Sequence, residues 1–107
     1  MELDKLNEII ANEKGVMLYF WGENCAVCDA LKPKITELFT TKFPKIKQYI
    51  INAQENPDIA AAFSVFSIPT TIVFLEGKEF VREGRALSIY ELEQKVARFY
   101  NLLFEEA

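Results

Sequence analysis

Cys25 and Cys28 are the only cysteines of the chain, three positions apart in the stretch WGENCAVCDAL, residues 21–31. Thiols at this spacing can be a redox couple, half of a metal site, or small buried hydrophobes. The metal reading is weakest on ligand count. A closed zinc site takes about four ligands, and a chain with no histidine and no second cysteine pair would have to dimerise or recruit carboxylates. The redox reading gains from position. Cys25 falls where an apolar run gives way to a helical pattern, so the unpaired N–H groups and the dipole of a helix start would stabilise its thiolate. Cys28 lies one turn on and on the same face, within reach of a mixed disulfide on Cys25. Cys25 is thus the candidate nucleophile and Cys28 the candidate resolving thiol. The couple needs no cofactor, because the electrons reside in the sulfur atoms.

The elements that must hold these thiols follow from periodicity. Leu3, Leu6 and Ile10 predict a short amphipathic helix to about Glu13, which Gly15 should stop and turn. VMLYFW, residues 16–21, is apolar on both faces, as a central strand covered by helices should be. Cys28, Leu31, Ile35 and Leu38 predict a helix to about Phe43, with Pro33 inside it as a kink. Residues 46–52 read as a second strand. Asn56 and Pro57 read as an N-cap and first helical position, opening a short helix that ends near Ser64. Two β-rich runs joined at Glu76-Gly77-Lys78 predict a hairpin. Ser88 with Glu91 forms a capping box ahead of Ile89, Leu92, Val96, Phe99 and Leu103, so the chain should close with a long helix whose FEEA end frays. The order predicts an α/β fold: a mixed sheet, mostly parallel except for its last hairpin strand, with helices on both faces.

Composition narrows the class. At 107 residues, 50% hydrophobic and 26% charged, the chain fits one domain with a true core, spanning 1–107. The formal charge is -4 and the basic residues are scattered, which argues against nucleic acid or an anionic membrane as partner. The longest apolar run is too short to cross a bilayer, and the charged start MELDKLNEII has no signal-peptide core, so a cytoplasmic protein is expected. Two cysteines are too few for a secreted disulfide framework.

Together these features resemble the thioredoxin family over nearly the whole chain. VMLYFWGENCAVC resembles the family's strand and CxxC segment, with Trp21 ahead of Cys25. Pro33 matches its helix-kinking proline, SIPTTIVFLEGKEF its cis-proline segment and hairpin, and Gly84 with RALS the loop into the last helix. A lone CxxC is weak, but joined to a distant Ile68-Pro69-Thr70 before a hairpin it is specific. The resemblance implies a thioredoxin-like fold with a cis bond before Pro69. Ile68 and Pro69 would then form one wall of a substrate groove, Trp21 and Gly84 would lie around it, and Asn24, Ala26 and Val27 would complete the substrate-facing surface.

Departures from the family pattern bear on function. Asn24 stands where thioredoxin has a second tryptophan, removing part of the apolar surface that receives substrate. Ala26-Val27 replaces Gly-Pro between the cysteines, a pair that tunes redox poise. With no histidine there is no imidazole to stabilise the thiolate as in the more oxidising members, which favours a reductant. The family's buried aspartate aligns with Tyr19 and its neighbouring lysine with Ile50, so the usual proton relay lacks its residues. Glu23 is an alternative acceptor, though a solvated carboxylate is the simpler reading, and Arg85 could contact a substrate, though a solvated charge is again the simpler reading. The family's extra N-terminal strand has no counterpart, so four strands are expected.

The resulting expectation is a monomeric thiol-disulfide oxidoreductase acting on disulfide-containing protein substrates and recharged by a reductase or other dithiol donor, with no metal. The rival is a peptide-binding or co-chaperone module of the same fold with weak or no redox turnover. An isomerase or oxidase comes third.

Overall fold

β1 (Gly15–Trp21) is buried at every residue but its last, which makes it the axis of the fold. The computed structural model describes residues 1–104. In order, the elements are α1 (Leu3–Asn12), β1, α2 (Ala26–Lys42), β2 (Lys47–Asn52), α3 (Pro57–Ala62), β3 (Thr70–Leu75), β4 (Lys78–Glu83) and α4 (Ile89–Phe104). The end of the sequence expected to fray falls mostly on residues 105–107, outside the described residues. The sheet is four-stranded in the order β2-β1-β3-β4.

The all-apolar β1 is explained by what covers it. Val16, Leu18 and Phe20 point to one face, where Leu6 and Ile10 of α1 and Ile59 of α3 pack with Ile72 and Phe74. Met17 and Tyr19 point to the other, against Ile35 and Phe39 of α2 and Leu92 and Val96 of α4. Alternation along a strand delivers successive side chains to opposite faces, so a strand with helices on both sides must be apolar throughout. Among the described residues, no helix is long and apolar enough to cross a membrane.

Strand direction departs from the expectation. β1 pairs parallel with β2 but antiparallel with β3, and β4 runs antiparallel to β3. The reversed strand is therefore β3, the first of the hairpin, and only one of the three pairings is parallel. The reason is the brevity of α3. Its six residues rise about 9 Å, whereas the six-residue strands run about 20 Å. The helix alone does not carry the chain back along the sheet, and the rest of the 53–69 connection turns it in again at the end it left. Phe20 and Trp21 accordingly face Thr70 of β3 and Asn52 of β2, respectively.

The turns make this reversal. α3 ends with Ser64 at φ 56, while the Val65 N–H bonds the Ala60 carbonyl at 2.8 Å and the Ser64 N–H the Ala61 carbonyl at 3.0 Å. This is a Schellman closure with serine where glycine is usual. Arg82 of β4 donates to the carbonyls of Phe63 and Ser64 while bound to both carboxylate oxygens of Glu79, and that bond holds the Glu79 carboxyl below its usual pKa.

Three local expectations need correction. Gly15 does not turn the chain. It opens β1, and a Cβ there would come within 2.8 Å of Ile46 and 3.1 Å of Phe104, so its role is close packing. Asn56 occupies the N-cap of α3 with Pro57 next, but its side chain makes no capping bond. It donates instead to the Asn52 carbonyl at 3.0 Å, tying down the preceding turn. Ile46 lies before β2 and packs in the α2/α4 core.

Phe39 is fully buried and meets the Phe43 ring edge-on at 5.4 Å. Phe39→Ala should lower unfolding free energy by about 3–5 kcal/mol. Leu102→Ala, at a position 76% exposed, should stay within about 0.5 kcal/mol. Urea unfolding of the two variants beside the parent checks both.

Candidate active site

The site forms where β1 hands over to α2. Asn24 adopts φ 56, a left-handed conformation that asparagine tolerates better than most residues and a bulky aromatic does not. That turn sets Cys25 at the N-cap of α2, with Cys28 in its first turn. The two cysteines are joined in a disulfide with Cα atoms 5.2 Å apart. Cys25 Sγ also accepts the Cys28 N–H at 3.2 Å, so one of the free donors of the helix start is spent on the sulfur.

Access to the two sulfurs is unequal. Cys25 retains 9% of its surface and Cys28 only 1%, so an incoming partner meets Cys25. Beneath Cys28 lies the wholly buried Tyr19, whose hydroxyl donates to the Cys28 carbonyl at 2.8 Å. Burial first, and the negative charge of Asp29 second, push its phenol up to about 12 from 10.0. The floor of the site is therefore neutral at physiological pH.

A cleft opens beside Cys25, lined by Glu23, Asn24, Ala26 and Val27 from one side and by Gln54, Ile68 and Arg85 from the others. Gly22 permits this closeness: a Cβ there would fall within 2.6 Å of Ile68 and 2.7 Å of Gln54. Gln54 Oε1 accepts the Glu23 N–H at 2.9 Å, fixing the loop before the cysteines. The Ile68–Pro69 peptide bond is cis, and Thr70 Oγ1 closes that turn on the Ser67 carbonyl at 2.7 Å.

Not every residue expected around the groove lines it. Asn24, Ala26, Val27 and Ile68 do. Pro69 is buried behind Ile68. Trp21 turns to the α2/α4 side, half-buried, with Lys32 Nζ 5.7 Å above its ring, because the strand alternation sends it to the face of Tyr19. Gly84 is exposed, and a Cβ there would have nothing within 4 Å of it. The residue of that loop that lines the cleft is its neighbour Arg85, whose Nη2 donates to the Ile68 carbonyl at 3.1 Å. Arg85 is therefore not simply a solvated charge. Gln54 is the cleft residue that sequence reasoning missed, while Arg85 was weighed as a substrate contact and set below a solvated charge. The only signal for Arg85 is a basic residue one position beyond Gly84 in a loop already suspected, and Gln54 carries none. Glu23 is exposed at the cleft edge. Among the described residues, no group of three or more His, Cys, Asp or Glu gathers as a metal site.

Comparison with known proteins agrees with this geometry. The family model described as Thioredoxin matches residues 1–98. The thioredoxin-like protein YdfQ of Bacillus subtilis is 36% identical over 100 residues, covering 94% of this chain and 88% of that protein. A thioredoxin of Mycoplasma pneumoniae is 35% identical over 81 residues, covering 72% and 74%. The structure of thioredoxin 1 from Thermosipho africanus superposes with a TM-score of 0.73 at 31% identity, covering 81% of this chain and 96% of that one.

Tyr19→Phe removes the donor to the Cys28 carbonyl and should cost about 1 kcal/mol of stability near neutral pH. Because the folded-state value lies above the unfolded one, the hydroxyl's contribution is whole below pH 10.0 and is lost as pH rises through about 12. A rise from 10.0 to about 12 is worth about 2.7 kcal/mol, more than the initial advantage. Unfolding free energies of parent and variant, followed upward from neutrality, should therefore meet above pH 10.0 and cross before about 12, the variant becoming the more stable. A pH-independent difference would contradict the assignment.

Proposed function

This chain belongs to the thioredoxin family and is a thiol-disulfide oxidoreductase built on the Cys25–Cys28 couple, and from that premise we propose that it works as a reductant of disulfide-containing proteins. The observation that carries this reading is the unequal exposure of the two cysteines, 9% for Cys25 against 1% for Cys28, with the Cys28 N–H directed at Cys25 Sγ. Once the pair is reduced, that N–H and the dipole of α2 favour the thiolate at Cys25, the sulfur a partner can reach. Cys25 attacks a substrate disulfide, the substrate S–S bond breaks, and one substrate sulfur leaves as a thiolate. Cys28 then gives up its proton and attacks Cys25 Sγ in the mixed disulfide, releasing the second substrate thiolate and closing the Cys25–Cys28 bond. Two electrons pass to the substrate. A reductase or another dithiol restores the open pair.

Several features support the reducing direction. The chain has no histidine to stabilise the thiolate further, and the floor under Cys28 is the neutral Tyr19 hydroxyl. A reductant of this kind requires a reducing compartment, and the cytoplasm is the one we propose. The couple closes on itself within one chain, so the step needs no second copy, and a monomer is the acting unit we propose. Asn24, Ala26, Val27 and Ile68 are the proposed substrate contacts, with Pro69 supporting Ile68 from behind.

In an insulin-reduction assay recharged by dithiothreitol, the parent should turn over and Cys25→Ser should not. Cys28→Ser should accumulate a mixed disulfide that electrophoresis without reductant resolves. A pair that stays open in oxidised glutathione would defeat the redox reading. Intact insulin together with protection of a client from aggregation would favour the binding-module reading. The equilibrium potential of the pair against glutathione decides the direction.

A further inference from the structure

The cleft beside Cys25 carries two charges that meet its floor in different ways. Glu23 enters from the loop between β1 and α2, and its main chain, not its carboxylate, is tethered to Gln54. Arg85 enters from the loop between β4 and α4 with its guanidinium on the Ile68 carbonyl, 3.1 Å away. Its neighbour Glu83 is engaged with Lys95 at 3.3 Å, and among the described residues Arg85 pairs with no carboxylate. One donor thus rests on a neutral carbonyl while the planar charge and the remaining N–H groups stay open to the cleft. An arginine held by one edge in this way is pre-oriented to take a carboxylate with the rest of its fork.

Substrate geometry brings a carboxylate there. The substrate sulfur must reach Cys25 Sγ, so the residues flanking its half-cystine lie over the cleft walls, with Arg85 and Ile68 forming one of them. We propose that Arg85 is a specificity-determining residue that selects protein disulfides with an aspartate or glutamate flanking the reactive half-cystine. The proposal deepens the reductase reading and rests on it. An acidic side chain on this wall gains the guanidinium, whereas one placed over Glu23 meets a like charge, so the charges also set the direction in which the segment lies.

The test uses two disulfide-looped peptides that differ only in Glu against Gln beside one cysteine, reduced by the dithiothreitol-recharged full chain, with released peptide thiol as readout. For the parent, kcat/KM should favour the Glu peptide about five-fold, the scale of an exposed charge pair, and the ratio should fall as salt is raised. Arg85→Gln should bring the ratio to about one, and Arg85→Lys should retain part of it. A parent ratio of one, or a ratio unchanged in Arg85→Gln, overturns the proposal. Titration of the same peptides with serine in place of cysteine, followed by the NMR signal of the Arg85 side-chain Nε–H, reads the charge preference without any redox step. Equal binding there overturns the proposal, while peptides that bind selectively but stay oxidised overturn the reductase reading and leave charge selection supported.

Discussion

The hydrogen bond from the Cys28 N–H to Cys25 Sγ ties the chemistry of the site to the place where α2 begins, and that place is set by β1. A strand buried along nearly its whole length cannot slip by one residue without sending its apolar set to the wrong faces. Its C-terminal end is therefore fixed between β2 and β3. The turn after β1, the turn after β2 and the approach to β3 must then meet at one end of the sheet, where Gly22, Gln54 and Ile68 are in contact range. The cleft beside the disulfide is the space those three turns leave.

Tyr19 shows how the same scaffold can carry a different floor. A buried carboxylate below Cys28 would have to be desolvated and would be held by its own pKa shift. A phenol fills the volume, stays neutral well past physiological pH, and satisfies the Cys28 carbonyl. Opposite it across β1 and β3, Thr71 keeps a buried hydroxyl with no protein partner among the described residues. The Tyr19 hydroxyl thus orients the first turn of α2 without placing a charge of its own beneath Cys28.

Much of this architecture is legible in the sequence because it depends on short-range patterns. The two-faced apolar run of β1, the helical spacing from Cys28 to Leu38 and Ser88 with its Glu91 N–H bond are all local. The hairpin turn is legible through Gly77, at φ 80. What escapes has no local marker. Asn24, Ser64 and Glu76 all adopt positive φ without being glycine, and each reversal is held by contacts formed only after folding. The direction of β3 depends on the length of α3 relative to the strands, which residue types alone do not state. Gly15 shows the converse error: a glycine after a helix suggests a turn, yet it opens β1 and serves close packing. The sulfur pair was readable because its spacing is its chemistry, whereas the bond from Arg85 to Ile68 was not, because it spans 17 residues.

The site consequently has two layers of different stiffness. The sulfurs hang on a strand and helix whose displacement would open a packed core, at a cost of several kcal/mol for even one large side chain. The wall hangs on single exposed or partly exposed hydrogen bonds, Arg85 to Ile68 and Glu23 to Gln54, each worth about 1 kcal/mol. Thermal motion and an arriving segment can therefore rearrange the wall while the sulfur geometry stays as it is. Under the proposed function, recognition belongs to the soft layer and thiol-disulfide exchange to the stiff one, so changes in the wall need not disturb the sulfur pair.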